Sequence, residues 1–176
     1  MKSLGKYIYL FLIAGVIIAL DQWTKELVRT QLSLGETWLP DWLSWLSPYA
    51  RIVNWYNRGA AFGMFQSGSM VFMVLAIIVI AAIIYYYPRV EAHDWTLRLA
   101  MSMQLAGAMG NLIDRILHDG KVTDFISVGT FPVFNVADAS ISVGTAVLLL
   151  GVYLQERAAQ KAKTPDSNQP SEVASE

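Results

Sequence analysis

Apolar residues run without interruption through residues 70–87. That is close to the roughly 20 predominantly apolar residues a helix needs to cross the hydrocarbon core of a bilayer. Three further apolar runs, at 7–20, 99–113 and 139–154, are shorter between their flanking charges. Each borrows length from its neighbours, with lysine and arginine stems snorkelling to the interface. The pattern predicts four transmembrane helices, at about residues 7–23, 68–87, 96–114 and 138–155. The first run, preceded by Met1-Lys2-Ser-Leu-Gly-Lys6, also has the form of a secretory signal peptide. No small-x-small cleavage site follows, and the run passes straight into Asp21-Gln-Trp-Thr-Lys25, so a retained helix is the preferred reading.

Small residues stand at close-packing spacing in the later helices, Ala106 with Gly110 and Ser140 with Gly144. In lipid, where helices have no hydrophobic drive toward one another, such residues let backbones approach. The third helix carries a stripe of Gln104, Ala108, Asn111 and Arg115 on one face. That face is expected to turn into the bundle; for Gln104, amides satisfying one another between helices are the plainer, less favoured alternative. The long connection after the first helix holds Trp38, Trp42 and Trp45 among leucines and prolines. Such a segment lies in the headgroup region, as an anchor or as a clamp over a substrate. Residues 51–57, Arg-Ile-Val-Asn-Trp-Tyr-Asn, are β-branched and aromatic and predict a short strand. A turn through Arg58-Gly-Ala-Ala-Phe-Gly63 leads back to the second helix. The expected fold is an all-α membrane protein, a four-helix bundle with a small β-containing loop region outside the membrane. Residues 1–156 form the domain, and 157–176 a polar, proline-containing tail expected to be disordered.

Composition agrees with a membrane protein: 55% of the 176 residues are apolar. There is no cysteine, hence no disulfide, thiolate metal site or cysteine nucleophile. The histidines are His93 and His118 alone, which argues against a histidine-built metal centre. A formal net charge of −1 gives no argument for nucleic acid. With both termini on one side, that side holds Lys2, Lys6, Arg89, Arg98, Arg157, Lys161 and Lys163. The other side holds Lys25, Arg29, Arg51, Arg58, Arg115 and Lys121 in much longer loops, so its charge is more dilute. The termini are therefore expected to be cytoplasmic.

Carboxylates, amides and an arginine sit directly against the apolar runs: Asp21, Lys25, Asn57, Asn111, Arg115, Asp124, Asn135 and Asp138. Ionisable groups at membrane depth are expensive, so they read as functional by default. All of these fall at helix ends or loops of one membrane face. No serine–histidine pairing is available, and carboxylates alone show no recognisable metal-ligand spacing. What remains is a pair of aspartates and a water. Two close carboxylates cannot both ionise cheaply, and a pair sharing one proton can activate water for peptide hydrolysis. Plainer roles stand beside these: Asp138 and Asn135 as helix N-caps, Asp124 as a solvated loop carboxylate, and Asp21 with Lys25 as a surface ion pair. Asp114 and Asp119 read as ordinary solvated carboxylates, Asp114 beside Arg115. A proton- or cation-coupled carrier is the alternative function, disfavoured because the charges gather at one face instead of along a path.

Five motifs in this order resemble lipoprotein signal peptidase (signal peptidase II) over about residues 5–155: Asp21-Gln-x-Thr-Lys25, Asn57-x-Gly-Ala-Ala-Phe62, Gly107-Ala-x-Gly-Asn-x-Ile-Asp-Arg115, Val122-x-Asp-Phe125 and Phe134-Asn-x-Ala-Asp138. The resemblance implies a bacterial inner-membrane aspartyl endopeptidase of four transmembrane helices, with its active site at the outer face. Its substrate would be a prolipoprotein whose lipobox cysteine already carries diacylglycerol, cut before that cysteine. The catalytic pair would be Asp124 and Asp138. The site-supporting or substrate-contacting residues would be Asp21, Lys25, Asn57, Asn111, Arg115 and Asn135. No metal, cofactor or nucleic acid is implied, membrane lipid is, and the chain is expected to act as a monomer. Arg58 departs from the family's usual Asn-Thr-Gly order, and Thr123 stands where valine is common.

Overall fold

The computed structural model describes residues 4–59 and 68–163. Four long helices dominate: α1 (Leu4–Gln31), α2 (Ser69–Tyr86), α3 (Trp95–Leu117) and α4 (Val136–Lys163). Three short strands, β1 (Thr37–Trp38), β2 (Ala50–Asn57) and β3 (Val122–Val128), form an antiparallel sheet in that order. The strand expected at 51–57 is β2, whereas β1 and β3 were not foreseen. Trp42 and Trp45 lie in a 3-10 turn, Asp41–Leu46, and with Trp38 are largely exposed. The turn expected through Gly63 lies, beyond Gly59, outside the described residues. So does the tail after Lys163, but α4 itself continues past Glu156, where disorder was expected to begin.

Among the described residues three helices are long and apolar enough to cross a membrane, Gly5–Gln31, Ser69–Arg89 and Val136–Gln160. α3 is the long helix outside that set: its sequence carries Arg98, Gln104, Asn111, Asp114 and Arg115 and is too polar to meet that standard. Its place in the bundle explains how it tolerates them. α3 packs against α1, α2 and α4 together and buries Ala100, Ser102, Leu105, Ala106, Gly107, Gly110, Leu112 and Asp114. α2 is the opposite case: it is apolar on every side, and Ile83 is its buried residue. Its remaining surface, with the outer faces of α1 and α4, is an apolar exterior that water would not tolerate and lipid would cover.

Backbone approach between α3 and α4 depends on glycine. A Cβ on Gly107 would meet the Ile141 side chain and lie 2.5 Å from the Ala137 carbonyl oxygen. One on Gly144 would lie 3.0 Å from Met103 Cβ. We expect Gly107→Ala to destabilise the bundle by about 1–3 kcal/mol, because the backbone oxygen cannot swing aside as a side chain can. A thermal unfolding scan in detergent checks this, and a melting temperature equal to wild type would contradict it. At the opposite ends of the helices, Lys6 Nζ donates to Pro88 O (3.1 Å), Arg98 Nη2 to Lys6 O (3.2 Å) and Gln155 Nε2 to Asp94 Oδ2 (2.9 Å). The start of α1, the end of α2, the start of α3 and the last turns of α4 therefore share one end of the bundle, and the sheet lies at the other.

Candidate active site

The chain leaves α3 through Asp119 and Gly120, whose φ angles of 52° and 79° turn it sharply into β3. β3 pairs with β2 in a register that sets Trp55 opposite Asp124 and Asn57 opposite Val122. The irregularity between Ile52 and Trp55 re-aims this end of β2. Asn57 thereby reaches Asp124, its Nδ2 donating to Oδ2 at 3.1 Å, while its Oδ1 accepts the Gly59 N–H at 2.9 Å.

α4 begins with a reciprocal cap. The Asp138 N–H donates to Asn135 Oδ1 (2.9 Å), and the Asn135 N–H donates to Asp138 Oδ2 (3.2 Å). This is the capping-box logic, with the fourth residue of the box acidic. The capping roles weighed for both residues are thus real, yet they do not exhaust either side chain. Asn135 Nδ2 also donates to Asp124 Oδ1 at 2.7 Å, and Asn111 Nδ2 donates to Asp138 Oδ1 at 2.7 Å. Each aspartate accordingly accepts two N–H groups, and Asn135 bridges the pair.

Behind the amides lies a buried charge cluster. Lys25, with no solvent exposure, sits 2.8 Å from Asp21 and 3.4 Å from Asp114, both equally buried. Its ammonium also donates to Asn111 Oδ1 at 3.0 Å, an oxygen that accepts from Asn135 Nδ2 as well. Two donors on Oδ1 leave the Asn111 amide one useful orientation, with its NH₂ toward Asp138. Asp21 Oδ1 accepts the Ala137 N–H at 2.9 Å, tying α1 to the first turn of α4. A Cβ on Gly110 would lie 2.7 Å from Asp21 Oδ2, so glycine there makes room for the carboxylate. The Asp21–Lys25 pair is therefore not a surface pair. Buried pairs of this kind gain their value from position, and breaking one strands the partner charge.

Asp114 corrects the sequence reading most clearly. It is fully buried, not solvated, and does not pair with Arg115. Its Oδ2 accepts the Thr123 N–H at 2.9 Å, one residue before Asp124, and its Oδ1 accepts from Gln22 Nε2 at 3.1 Å. Arg29 closes the cluster, 3.7 Å from Asp114 and bonded to Thr123 Oγ1 at 2.9 Å. Gln22, Arg29 and Thr123 were given no role in the site from the sequence. Their signal was available for Gln22 and Arg29, which stand next to Asp21 and one turn beyond Lys25 on the same helix. For Arg115, a site-supporting or substrate-contacting residue by the resemblance, no loop carbonyl among the described residues is the partner. Instead it donates to Asn111 O of its own helix (3.3 Å) and lies over the Phe72 ring, and its Nε has no partner among the described residues.

Asp124 and Asp138 line one cavity of about 800 Å³. Asn57, Asn111 and Arg115 share its polar end; Phe72 and Val79 of α2 and Ile141 of α4 wall its apolar remainder. Asp124 is almost fully enclosed. Burial, reinforced by the charge of Asp138, pushes its carboxyl up to about 7, against the opposing pull of the Asn57 and Asn135 donors and of Lys25.

A family model for signal peptidase (SPase) II matches residues 13–154, a span that contains every one of these side chains. The chain belongs to the signal peptidase II family. The lipoprotein signal peptidase of Halalkalibacterium halodurans is 38% identical over 157 residues, 87% of this chain and 97% of that protein. The lipoprotein signal peptidase of Staphylococcus aureus is 32% identical over 158 residues, 86% of this chain and 91% of that protein. A bacterial membrane enzyme solved in meso at 2.3 Å superposes with a TM-score of 0.75 at 27% identity, covering 94% of both chains. A second, at 1.9 Å, gives 0.71 at 30% identity over 81% of this chain and 91% of that one. Membership in the signal peptidase II family agrees with the resemblance read from the five motifs.

Proposed function

We propose that this chain is the endopeptidase that removes the signal peptide from diacylglyceryl-modified prolipoproteins, with Asp124 and Asp138 as its catalytic pair. Family membership makes the chain an aspartic endopeptidase of prolipoprotein processing in a bacterial membrane. The observation that carries the site assignment is the bridging of two carboxylates by Asn135 at the mouth of a largely apolar cavity. With one proton between them, the ionised carboxylate takes a proton from water as the water oxygen attacks the scissile carbonyl carbon. The protonated one donates a hydrogen bond to the carbonyl oxygen, then delivers its proton to the leaving amine as the C–N bond breaks. Asn57, Asn111 and Asn135 hold the carboxylates, and Asp21 with Lys25 fixes the amides. Arg115, with a spare N–H at the cavity, meets substrate backbone. Cutting of a diacylglyceryl-modified prolipoprotein by the purified chain in detergent, read as a mobility shift, tests the reading. An uncut substrate overturns it. The carrier alternative has no support in the relatives, and the buried charged groups, Asp21, Lys25, Asp114 and Asp124, cluster at one end of the bundle.

The same reading makes α3 a fourth span whose polar residues are sheltered from lipid by α1, α2 and α4. The chain then acts as a monomer in the inner membrane, with both termini cytoplasmic and the aspartates at the outer face. Reporter fusions after Ser33 and Gly120 are expected to report the outer side, and fusions after Arg89 and Gln160 the cytoplasm. The reverse pattern would put the aspartates on the wrong side of the membrane for this substrate.

A further inference from the structure

The end of the bundle opposite the aspartates gathers three cations from three elements. Lys6 lies on α1, Arg89 in the 3-10 turn (Tyr87–Arg89) that follows α2, and Arg98 on α3. Their contacts hold them in place without neutralising them. Lys6 Nζ donates to Pro88 O, Arg98 Nη2 donates to Lys6 O, and Arg89 donates to Tyr85 O while lying over the Tyr85 ring. Arg98 lies 4.9 Å from the centroid of the Tyr87 ring, which is wholly buried beneath it.

None of the three pairs with a carboxylate among the described residues. The acids nearest in sequence are engaged elsewhere: Glu91 with His93, and Asp94 with the Leu97 N–H, Thr96 and Gln155. Arg89 lies over the exposed Tyr85 and beside the exposed Tyr86, and Trp95, at the start of α3, is exposed as well; such residues settle at headgroup depth. Three positioned, unneutralised cations at that depth form a seat for a phosphate, because a basic pocket between helices at the interface attracts anionic headgroups.

We propose that Lys6, Arg89 and Arg98 hold the phosphate of an anionic phospholipid on the face opposite the active site. The lipid bridges α1, α2 and α3 there. Neither peptide cleavage nor its aspartates enter this site, so it stands or falls apart from the proposed activity.

The test uses the full chain in neutral detergent, with lipid retention followed by native mass spectrometry. Phosphatidylglycerol is the probe, with phosphatidylcholine and free glycerol phosphate as comparison arms. Wild type is expected to retain phosphatidylglycerol at least tenfold more tightly than either. K6Q/R98Q weakens it by at least tenfold, at about fivefold per cation removed. Arg98→Lys, which keeps the charge, stays near wild type, as does Arg157→Gln, which removes a cation stacked on Tyr153 instead. Should K6Q/R98Q lose its melting transition, Arg89→Gln carries the test, with a fall of about fivefold expected. An equal loss in Arg157→Gln would mean diffuse surface charge and overturn the site. Equal retention of phosphatidylcholine, or equal binding of glycerol phosphate, would overturn it too. So would a tenfold gain on truncation after Lys163, which would make the acidic tail the resident anion.

Discussion

Asp124→Asn and Asp138→Asn are each expected to lower the rate of prolipoprotein cleavage by at least 10⁴-fold, the upper range for loss of general acid–base help alone. Asparagine keeps the size of aspartate but can neither take nor give up the reaction's proton. It also turns a donor toward donors. Asp124 meets Asn57 Nδ2 on one oxygen and Asn135 Nδ2 on the other, and Asp138 meets Asn111 Nδ2 and the Asn135 N–H. Melting curves therefore accompany the assay, and a variant that melts near wild type yet does not cut isolates the chemistry. The pH profile provides the second discriminator. Asp124 is held up to about 7, so below that pH it keeps a proton for the pair and above it that proton is lost. The sign follows: kcat/KM falls as pH rises through about 7, because no acid remains to protonate the leaving amine. At low pH it falls again as the base is protonated, and the two limbs belong to the pair as a unit. Near-normal turnover in either asparagine variant, or a rate still climbing through pH 9, would overturn the dyad.

Much of this site was legible in the sequence because its parts are local. Gln104, Ala108, Asn111 and Arg115 read as one helix face, and Asn135-x-x-Asp138 reads as a helix start. What sequence could not supply was the long-range pairing that turns plain residues into buried ones. Asp114 carries no mark that separates it from Asp119, yet one is enclosed against Lys25 and the other lies exposed in the turn. The difference arises from α1 packing on α3, a contact no local spacing predicts. Strand β3 was missed for a related reason. Val122, Thr123, Ile126 and Val128 do have β-branched character, but the strand is buried on both faces for most of its length, so the alternation of a half-exposed strand is absent. The count of spans was hardest on α3. Hydropathy scores a helix as if lipid surrounded it, whereas α3 is surrounded largely by protein, and its polar residues find partners on α1, α4 and β3.

A prolipoprotein without its diacylglycerol is expected to be cut at least tenfold more slowly than the modified form. Asp124 and Asp138 stand at its polar end, where β3 and the first turn of α4 meet, and Phe72, Leu75 and Val79 of α2 face Ile141 and Val143 of α4 along its apolar length. A signal-peptide helix presented from the bilayer satisfies those apolar walls at many depths, since one leucine serves as well as another a turn away. The scissile bond must nonetheless sit within hydrogen-bond reach of a water held by the carboxylates, and misplacement by about 1 Å is enough to lose 10²-fold. Acyl chains fix the depth. Each CH₂ kept in hydrocarbon is worth about 0.8 kcal/mol, so lifting the cysteine even slightly out of register is opposed by several methylenes at once. A tenfold loss corresponds to about 1.4 kcal/mol in the transition state, the worth of about two such methylenes. The comparison is made with modified and unmodified forms of one substrate, both in detergent and both below saturation, so that the ratio of kcat/KM is read directly. Asn57→Ala, which removes the N–H donated to Asp124 Oδ2, slows both forms by a similar factor, because it acts on the dyad and not on depth. Equal cutting of the two substrates by the unaltered chain would leave the dyad standing and remove the lipid from the recognition mechanism.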